Sequence, residues 1–387
     1  MPLLDPYRPT WAEIDLQALS ANLRAIRARV GTRPILAVVK ANAYGHGAAG
    51  VARALEKDGV ESLGVALPEE GIELRRAGVT RPILVLGGFT PEQADAILQH
   101  DLVPAIFRPD QVGALSRAAS ARGVEAAVHL KVDTGMGRLG VPPGDVPEFA
   151  SVLSGARSIR VTGAFSHLAV ADDPTDAFTR RQIELFRECV EAARERGLRP
   201  GEIHLANSAA ILDHPPAWLS LVRPGLVLYG YPPSTNVTPL EVSPVLSLKT
   251  RIIYLKEVAP GTSLGYGRTF VAARPTRVAS LALGYDDGLP RLASNRGHVL
   301  LRGRPAPIVG RISMDLTTVD VTEIPGATLG DEVTVIGTSG GERLGADRIA
   351  AWADTIPWEV LCGIGSRVPR LFVRGTERDV ASRFALP

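Results

Sequence analysis

The chain has 387 residues, of which 45% are hydrophobic and 22% charged, a composition typical of globular proteins and a length that favours two hydrophobic cores. Its net charge of +2 argues against nucleic acid and anionic membranes as partners, and its apolar runs are too short for a signal peptide or a membrane span. We therefore expect a cytoplasmic protein. Two cysteines, Cys189 and Cys362, are too few for a disulfide or metal framework.

Short apolar runs alternate with helical patterns through roughly the first 230 residues, which indicates repeated βα units around a parallel sheet. Asp15 is predicted to cap a helix that continues to Arg29, ahead of the first run. Eight strands with interleaved helices are the number found in a TIM barrel. The eight runs are 35–40, 62–67, 82–88, 103–107, 126–133, 160–168, 202–207 and 221–230.

The pattern changes after about residue 240 to β-rich segments that are bounded by Gly, Pro or Asp. Helical periodicity returns once, over 345–354. These patterns predict an α/β protein with an N-terminal TIM (β/α)8 barrel over residues 1–240 and a C-terminal, mostly antiparallel β domain over 241–387. Roughly the first ten residues are expected to pack on the β domain. The clearest β segments are 245–258, 277–283, 298–302 and 332–336.

Polar residues stand where the predicted barrel strands end, which is where TIM barrels carry their chemistry. Lys40 closes an apolar strand and opens a glycine-punctuated turn, a setting that lowers an ammonium pKa and makes it a candidate Schiff-base lysine. A strand-end lysine that only solubilises a loop is the alternative. Ser208 follows strand seven and Gly225 lies within the segment of strand eight, near the loops where barrels often bind phosphate, although a helix cap and a Pro-Gly turn explain each one alone.

The stretch Val38 to Gly47 (VVKANAYGHG) resembles the cofactor-attachment segment of alanine racemases, and the resemblance continues in order along almost the whole chain. Alanine racemases are fold-type III pyridoxal-phosphate enzymes that interconvert L-alanine and D-alanine. The resemblance implies that Lys40 carries pyridoxal 5′-phosphate and that Arg223 donates to the pyridine nitrogen of this cofactor. The further cofactor-binding residues that it implies are Tyr44, Arg138, His167, Asn207, Ser208 and Gly225.

The segment 129–140 resembles a second part of the family's site. The resemblance implies a carbamylated Lys131 whose new carboxylate orients Arg138, and Arg138 in turn contacts the cofactor phenolic oxygen and the substrate carboxylate. It gives His167 a supporting role, in which His167 links Arg223 to the catalytic tyrosine.

A racemase must remove a proton from one face of the α-carbon and return one to the other, so a two-base mechanism needs two opposed groups. The segment 263–269 resembles the family's second-base motif, and this implies Tyr266 as the catalytic partner of Lys40. In the family this tyrosine reaches the partner subunit's barrel, so the resemblance implies a homodimer with two shared sites. It also implies that the Met314 backbone N–H binds the substrate carboxylate, and that an entrance gate is formed by Asp172, Tyr285 and Arg311.

One position departs from the family pattern, because Ser366 precedes the C-terminal Arg-Val-Pro-Arg where some members carry a phosphate-binding tyrosine. The function implied is an alanine racemase that supplies D-alanine for cell-wall peptidoglycan. A serine or broad-specificity racemase remains an alternative, because a pocket rejects one added hydroxyl only weakly. A fold-type III decarboxylase and a single-barrel cofactor carrier are weaker alternatives. Cys362 lacks the surroundings of the decarboxylases' reactive cysteine, and a single-barrel carrier has no β domain.

Overall fold

The computed structural model describes residues 9–375 and 377–381, which divide by their contacts into two compact units. The barrel unit comprises Ala18–Ala43 and Ala48–Ser243. The β unit comprises the residues up to Gln17, Tyr44–Gly47, and the residues from Pro244 onward. The chain passes from one unit to the other after Ser243, whereas the sequence pattern places a boundary after residue 240. The expected packing of the first ten residues falls largely on residues 1–8, outside the described residues.

The barrel unit is built on a parallel sheet whose strands follow chain order, so that the predicted TIM barrel is confirmed. Seven strands are regular in the described part of the chain. The eighth position is held by Leu221 and Val222, which bridge in parallel to His204 and Ile35 and thereby link the seventh strand to the first. The seven strands are Leu36–Val38, Ser62–Val65, Ile83–Val85, Val103–Ile106, Ala126–Lys131, Ile159–Phe165 and Glu202–His204.

The predicted eighth strand over 221–230 is therefore wrong beyond Val222. Pro224 has no N–H to donate to a ladder, and Gly225 turns the chain with φ −118° and ψ −95°. The apolar residues that follow form a 3-10 helix, Leu226–Tyr229, and the Tyr229 hydroxyl donates to the carbonyl of Val38 at 2.9 Å. An apolar run here packs as a helical turn rather than as a strand.

Helices connect the barrel strands and bury one face each. The first helix begins as predicted, since the Gln17 N–H donates to the Asp15 side chain at 2.8 Å. None of the helices in the described ranges is long and apolar enough to cross a membrane. The barrel helices are Leu16–Val30, Ala48–Lys57, Pro68–Arg76, Ala94–Gln99, Pro109–Arg122, Val146–Gly155, Phe178–Glu195 and Ser208–Asp213.

The β unit contains a mostly antiparallel sheet, as predicted, and ten of its strands are joined among the described residues. The strand Thr10–Asp15 lies between Leu246–Val258, to which it is antiparallel, and Arg370–Arg374, to which it is parallel. A separate hairpin pairs Ser263–Leu264 with Phe270–Val271. The remaining strands are Thr276–Leu281, His298–Leu301, Arg304–Pro307, Thr317–Asp320, Glu332–Ser339, Glu342–Leu344 and Glu377–Ala381.

Two α-helices lie among the described residues of the β unit after Pro244. Ala346–Ala353 matches the predicted helix over 345–354. Pro357–Cys362 is not predicted, because six residues show too little periodicity. Proline at its first position favours a helix start, since the missing N–H would have no partner there in any case.

Candidate active site

Polar side chains follow several barrel strands at their carboxyl ends, and because the strands are parallel, these ends lie together at one end of the barrel. Lys131 is the last residue of the fifth strand, Lys40 lies two residues after the first, and His167 two residues after the sixth. Asn207 and Ser208 stand where the seventh strand gives way to a helix. The structure thus places these predicted site residues at the end of the barrel that carries chemistry in this fold.

Lys40 leads directly into a left-handed turn. Ala41, Asn42 and Ala43 have φ of 52°, 54° and 53° with ψ between 45° and 50°, and Tyr44 follows with φ 52°. This conformation costs an L-residue about 1–2 kcal/mol each, so contacts must hold the turn. The Asn42 side-chain oxygen accepts from the Ala48 N–H at 2.7 Å and so ties the turn to the next helix. Backbone strain of this kind concentrates at functional sites.

Lys131 is buried among apolar and cationic neighbours. Its Nζ lies 4.5 Å from the Phe165 ring centroid and donates to the Leu86 carbonyl at 3.4 Å. Burial, followed by the charges of Arg223, Arg138 and Lys40, lowers the pKa of Lys131 to about 7. An amine with this pKa is half neutral at neutral pH and is therefore nucleophilic.

Arg223 is buried in the barrel and anchored by three hydrogen bonds. Its Nη2 donates to the carbonyls of Ser166 and Leu205 at 2.8 and 3.0 Å, and its Nη1 lies 2.9 Å from Nδ1 of His204. Burial lowers the pKa of Arg223 to about 9, so it still carries its proton at neutral pH. The buried guanidinium needs these acceptors, because an unpaired buried charge is costly.

Behind Arg223 lies a pair of buried histidines that sequence reasoning missed. His204 Nε2 is 2.9 Å from His129 Nδ1, and His129 Nε2 is 3.5 Å from Glu202. Because arginine only donates, His204 accepts at Nδ1 and donates from Nε2 to His129. Burial and the charge of Arg223 lower the pKa of His129 to about 3, which keeps its ring neutral. The only signal in the sequence was a histidine within each of two apolar strands.

His167 was predicted to link Arg223 to the catalytic tyrosine, but the guanidinium hydrogen bonds described above go to His204 and two carbonyls instead. Burial and the charges of Arg223 and Arg138 lower the pKa of His167 well below its usual 6.5. Its backbone is held by buried Gln182, whose Nε2 donates to the His167 carbonyl at 3.1 Å. The structure therefore brings His167 to the cationic cluster, and its linking role stays a prediction.

Ser208 joins the two loops that were predicted to bind phosphate. Its hydroxyl accepts from the N–H groups of Gly225 and Val227 at 3.0 and 3.4 Å. Asn207 caps the same helix, since its side-chain oxygen accepts from the Ala210 N–H at 3.1 Å. The loops after strands seven and eight thus meet around one hydroxyl, with backbone donors beside it.

Together these groups form what we call the barrel-mouth cluster, defined as Lys40, Lys131, Arg138, His167 and Arg223. The charges of Arg223, Arg138 and Lys40 lower the pKa of Lys131, and the same three charges with that of Lys131 lower the pKa of His167. Asp133 is the carboxylate that partly offsets them at Lys131. Such an excess of cationic donors suits a ligand with a phosphate and a carboxylate. A lysine at the mouth supplies the amine that an aldehyde cofactor requires. The donor set therefore fits pyridoxal phosphate.

Tyr266 lies in the β unit at the tip of the hairpin that joins Ser263–Leu264 to Phe270–Val271. Its side chain is 71% exposed, whereas Leu264 beside it is buried in an apolar cluster on which Phe270 also packs. Gly265 and Gly267 flank it, both with φ of 70°, a conformation that favours glycine. The hairpin is thus anchored at its base and presents a phenol at its tip.

Two other predicted segments of the β unit, 284–288 and 310–315, meet beside this hairpin. Arg311 lies against Gly265 and Gly267, since an added Cβ on either glycine would be 3.1 Å from it. The Tyr285 N–H donates to the Ser313 carbonyl at 3.0 Å, which joins the entrance loop to the segment of Met314. We call this group the loop cluster, and its side chains are Tyr266, Tyr285, Arg311 and Met314.

Arg367 fixes part of the loop cluster. It donates to buried Asp287 at 2.8 Å, to Asp315 at 2.7 Å, and to the Met314 carbonyl at 3.2 Å. Met314 is 52% exposed beyond this anchored carbonyl. Asp172, the third predicted gate residue, lies exposed in the barrel unit after the sixth strand. The structure therefore gathers the predicted β-unit residues at one surface.

The segment that carries Tyr44 is held by Arg370. This arginine is buried and donates twice to the Gly45 carbonyl, at 3.0 and 2.9 Å, and also to the carbonyls of Ile364, Gly365 and Val368. Burial raises the pKa of Tyr44 above its usual value, so the phenol is neutral. Ser366, which stands where some family members carry a tyrosine, is exposed.

Comparisons with known proteins agree along the chain. The sequence model "Alanine racemase, N-terminal domain" matches residues 14–233, and "Alanine racemase, C-terminal domain" matches residues 245–372. An alanine racemase of Halothermothrix orenii is 45% identical over 365 residues, which cover 94% of this chain and 96% of the relative. "Alanine racemase 2" of Caldanaerobacter subterraneus is 45% identical over 383 residues, 98% of both chains.

Solved structures give the same result. An alanine racemase of Clostridium difficile 630 superposes with a TM-score of 0.92 at 36% identity and covers 97% of this chain and 99% of its own. The alanine racemase of Streptomyces lavendulae, a producer of D-cycloserine, superposes with a TM-score of 0.90 at 38% identity, over 96% and 98% of the two chains. The enzyme of Bacillus anthracis with bound L-Ala-P gives 0.91 at 34% identity, over 97% and 98%.

Proposed function

Because this chain belongs to the alanine racemase family of isomerases, we propose that it interconverts L-alanine and D-alanine with bound pyridoxal 5′-phosphate. The observation that carries the proposal is the barrel-mouth cluster, in which Lys40 and Lys131 lie with Arg223 among few carboxylates. The cofactor, when bound, delocalises the electron pair left on the α-carbon after its proton is removed.

Each predicted cofactor-binding residue has a defined task in this proposal. Lys40 attaches the cofactor through its amine. Ser208 and the Gly225 N–H hold the phosphate, with Asn207 and Tyr44 in support. Arg223 donates to the pyridine nitrogen, and because it keeps its proton at neutral pH, that nitrogen remains an acceptor without a proton of its own. This limits charge delocalisation and disfavours side reactions such as transamination.

Arg138 binds the substrate carboxylate and the cofactor phenolic oxygen, and it needs a counter-charge to hold its orientation. We propose that Lys131 provides it by carbamylation. A buried amine with pKa of about 7 has a large neutral fraction, which adds to CO2 and releases one proton. The new carboxylate also relieves the excess of positive charge around Arg223. A CO2-labile mass increase of the intact protein tests this modification.

Proton transfer requires a base on each face of the α-carbon. We assign Lys40 Nζ to the proton of D-alanine and the hydroxyl of the partner subunit's Tyr266 to the proton of L-alanine. The support for a dimer is the exposed loop cluster, where Tyr266, Tyr285 and Met314 are 71%, 40% and 52% exposed. Apolar side chains grouped at a surface in this way favour a partner.

Two bases on opposite faces also need a closed, narrow site. The Met314 N–H is proposed to bind the substrate carboxylate, while Asp172, Tyr285 and Arg311 form the entrance. A cramped site favours the methyl side chain of alanine. The proposed role is the supply of D-alanine for peptidoglycan in the cytoplasm.

The test replaces Tyr266 by Phe and follows exchange of the α-hydrogen with deuterated solvent for each enantiomer separately. We expect exchange of L-alanine to fall at least about 100-fold, as for loss of a general base, and exchange of D-alanine to persist. Tyr254→Phe is the matched control, because Tyr254 is 55% exposed on a strand outside the loop cluster. Equal exchange of both enantiomers in Tyr266→Phe contradicts the two-base assignment, and a parent protein that racemises neither contradicts the proposed function.

A further inference from the structure

Glu70 connects two loops at the mouth of the barrel. It is the third residue of the helix Pro68–Arg76, and its Oε2 accepts from the N–H groups of Ala66 and Leu67 at 2.7 and 3.2 Å. This half of its bonding is an ordinary capping arrangement for the helix that it belongs to. Its Oε1 instead accepts from the Ala41 N–H at 2.6 Å, in the turn after Lys40.

The Ala41 N–H belongs to the peptide group that joins Lys40 to Ala41. Because this group is planar, an acceptor that fixes its N–H fixes the whole plane and therefore the ψ angle of Lys40. The turn that follows is left-handed at Ala41, Asn42 and Ala43, a conformation that L-residues leave unless contacts hold them. A carboxylate acceptor is roughly twice as strong as a neutral one.

We propose that Glu70 is a positioning residue for Lys40. Its Oε1 holds the Lys40–Ala41 peptide in the left-handed turn and thereby sets the direction in which the Lys40 side chain leaves the backbone. The chemical consequence rests on the proposed function, because attachment of the cofactor to Lys40 is itself proposed. The effect on the turn does not depend on it. The competing explanation is that Glu70 only caps its own helix.

The first experiment measures amide hydrogen exchange over residues 39–47 in cofactor-free protein. In the parent protein we expect the Ala41 amide to be protected like a strand amide, and exchange at the rate of an unstructured peptide overturns the proposal without any variant. Glu70→Gln and Glu70→Ala should each raise the exchange rate of Ala41 at least about 10-fold. Glu69→Gln is the matched control, because Glu69 lies in the same helical turn but bonds Gln93 at 2.7 Å.

The second experiment separates Lys40 from the rest of the site. Attachment of pyridoxal phosphate forms a C=N bond between Lys40 Nζ and the aldehyde carbon and releases one water, and absorbance follows its rate. Pyridoxine 5′-phosphate lacks the aldehyde and therefore reports the phosphate and ring sites alone. We expect Glu70→Gln to slow attachment at least about 10-fold while it changes the Kd of pyridoxine 5′-phosphate less than about twofold.

Attachment at the parental rate in both Glu70 variants overturns the proposal, and so does an equal loss of attachment and of pyridoxine 5′-phosphate binding. Should Glu70→Ala fail to fold, the Ala41 amide of the parent and the milder Glu70→Gln still decide the outcome. A parent protein that binds neither ligand contradicts the proposed function instead, and the exchange experiment then judges Glu70 by itself.

Discussion

Replacing Lys131 by Met should remove a pH dependence from the stability of the protein. The pKa of Lys131 is lowered from 10.5 to about 7 in the folded protein, mainly by burial. Between these pH values the unfolded chain binds nearly one proton more than the folded one, so the free energy of unfolding rises by about 1.4 kcal/mol per pH unit. The destabilisation caused by burying Lys131 is fully present below pH 7 and is lost above about pH 10.5.

From pH 7 to pH 9.5, deprotonation of Lys131 should raise the free energy of unfolding of the parent by about 3 kcal/mol. This contribution should be missing in Lys131→Met. Urea unfolding of cofactor-free protein in CO2-free buffer at both pH values measures the difference, and all other groups cancel between the two proteins. Lys57→Met is the control, because Lys57 is exposed at a helix end. Equal pH dependence in the parent and in Lys131→Met would refute a depressed lysine pKa at this position.

Two further substitutions test the site's supports. Gly45→Ala should lower the free energy of unfolding by about 3 kcal/mol or more, because its Cβ would lie 2.8 Å from the Leu361 carbonyl carbon and its φ is 82°. Gly31→Ala is the control and should lower it by about 1 kcal/mol, because Gly31 has φ 69° but open space around it. Thermal unfolding compares the two variants. His204→Phe should remove a hydrogen-bond acceptor from buried Arg223 and lower the free energy of unfolding by about 1–3 kcal/mol. In steady-state kinetics kcat should fall with little change in KM, and an unchanged kcat would show that His204 has no part in catalysis.

The barrel and the β domain could be predicted because their signals are periodic. Apolar runs of strand length alternate with helical patterns through the barrel, and the first seven predicted runs each overlap an observed strand. The prediction of an eighth strand was wrong beyond Val222 because apolar composition alone does not distinguish a strand from a 3-10 helix such as Leu226–Tyr229. The helix Pro357–Cys362 was not predicted because it is too short to show a period.

The sequence indicates which residues belong to the candidate site better than it indicates the contacts between them. Lys40 was predicted from its place at the end of an apolar strand, whereas the roles of Lys131 and Arg223 were predicted from the resemblance to the family. The left-handed turn after Lys40 could not be predicted, because Ala-Asn-Ala-Tyr contains no glycine to signal positive φ. The pairing of His204 with Arg223 arises from tertiary contact between strands, which a single sequence does not encode as spacing.

The strand Thr10–Asp15 has a consequence for biosynthesis. It occupies an interior position of the β-unit sheet, between Leu246–Val258 and Arg370–Arg374, although the ribosome makes it before either neighbour. At about 5–20 residues per second, some tens of seconds pass before both neighbours exist. The nascent chain must keep this segment from pairing elsewhere during that interval. A fragment that starts at Pro244 would lack it altogether and would leave two ladders open to intermolecular association.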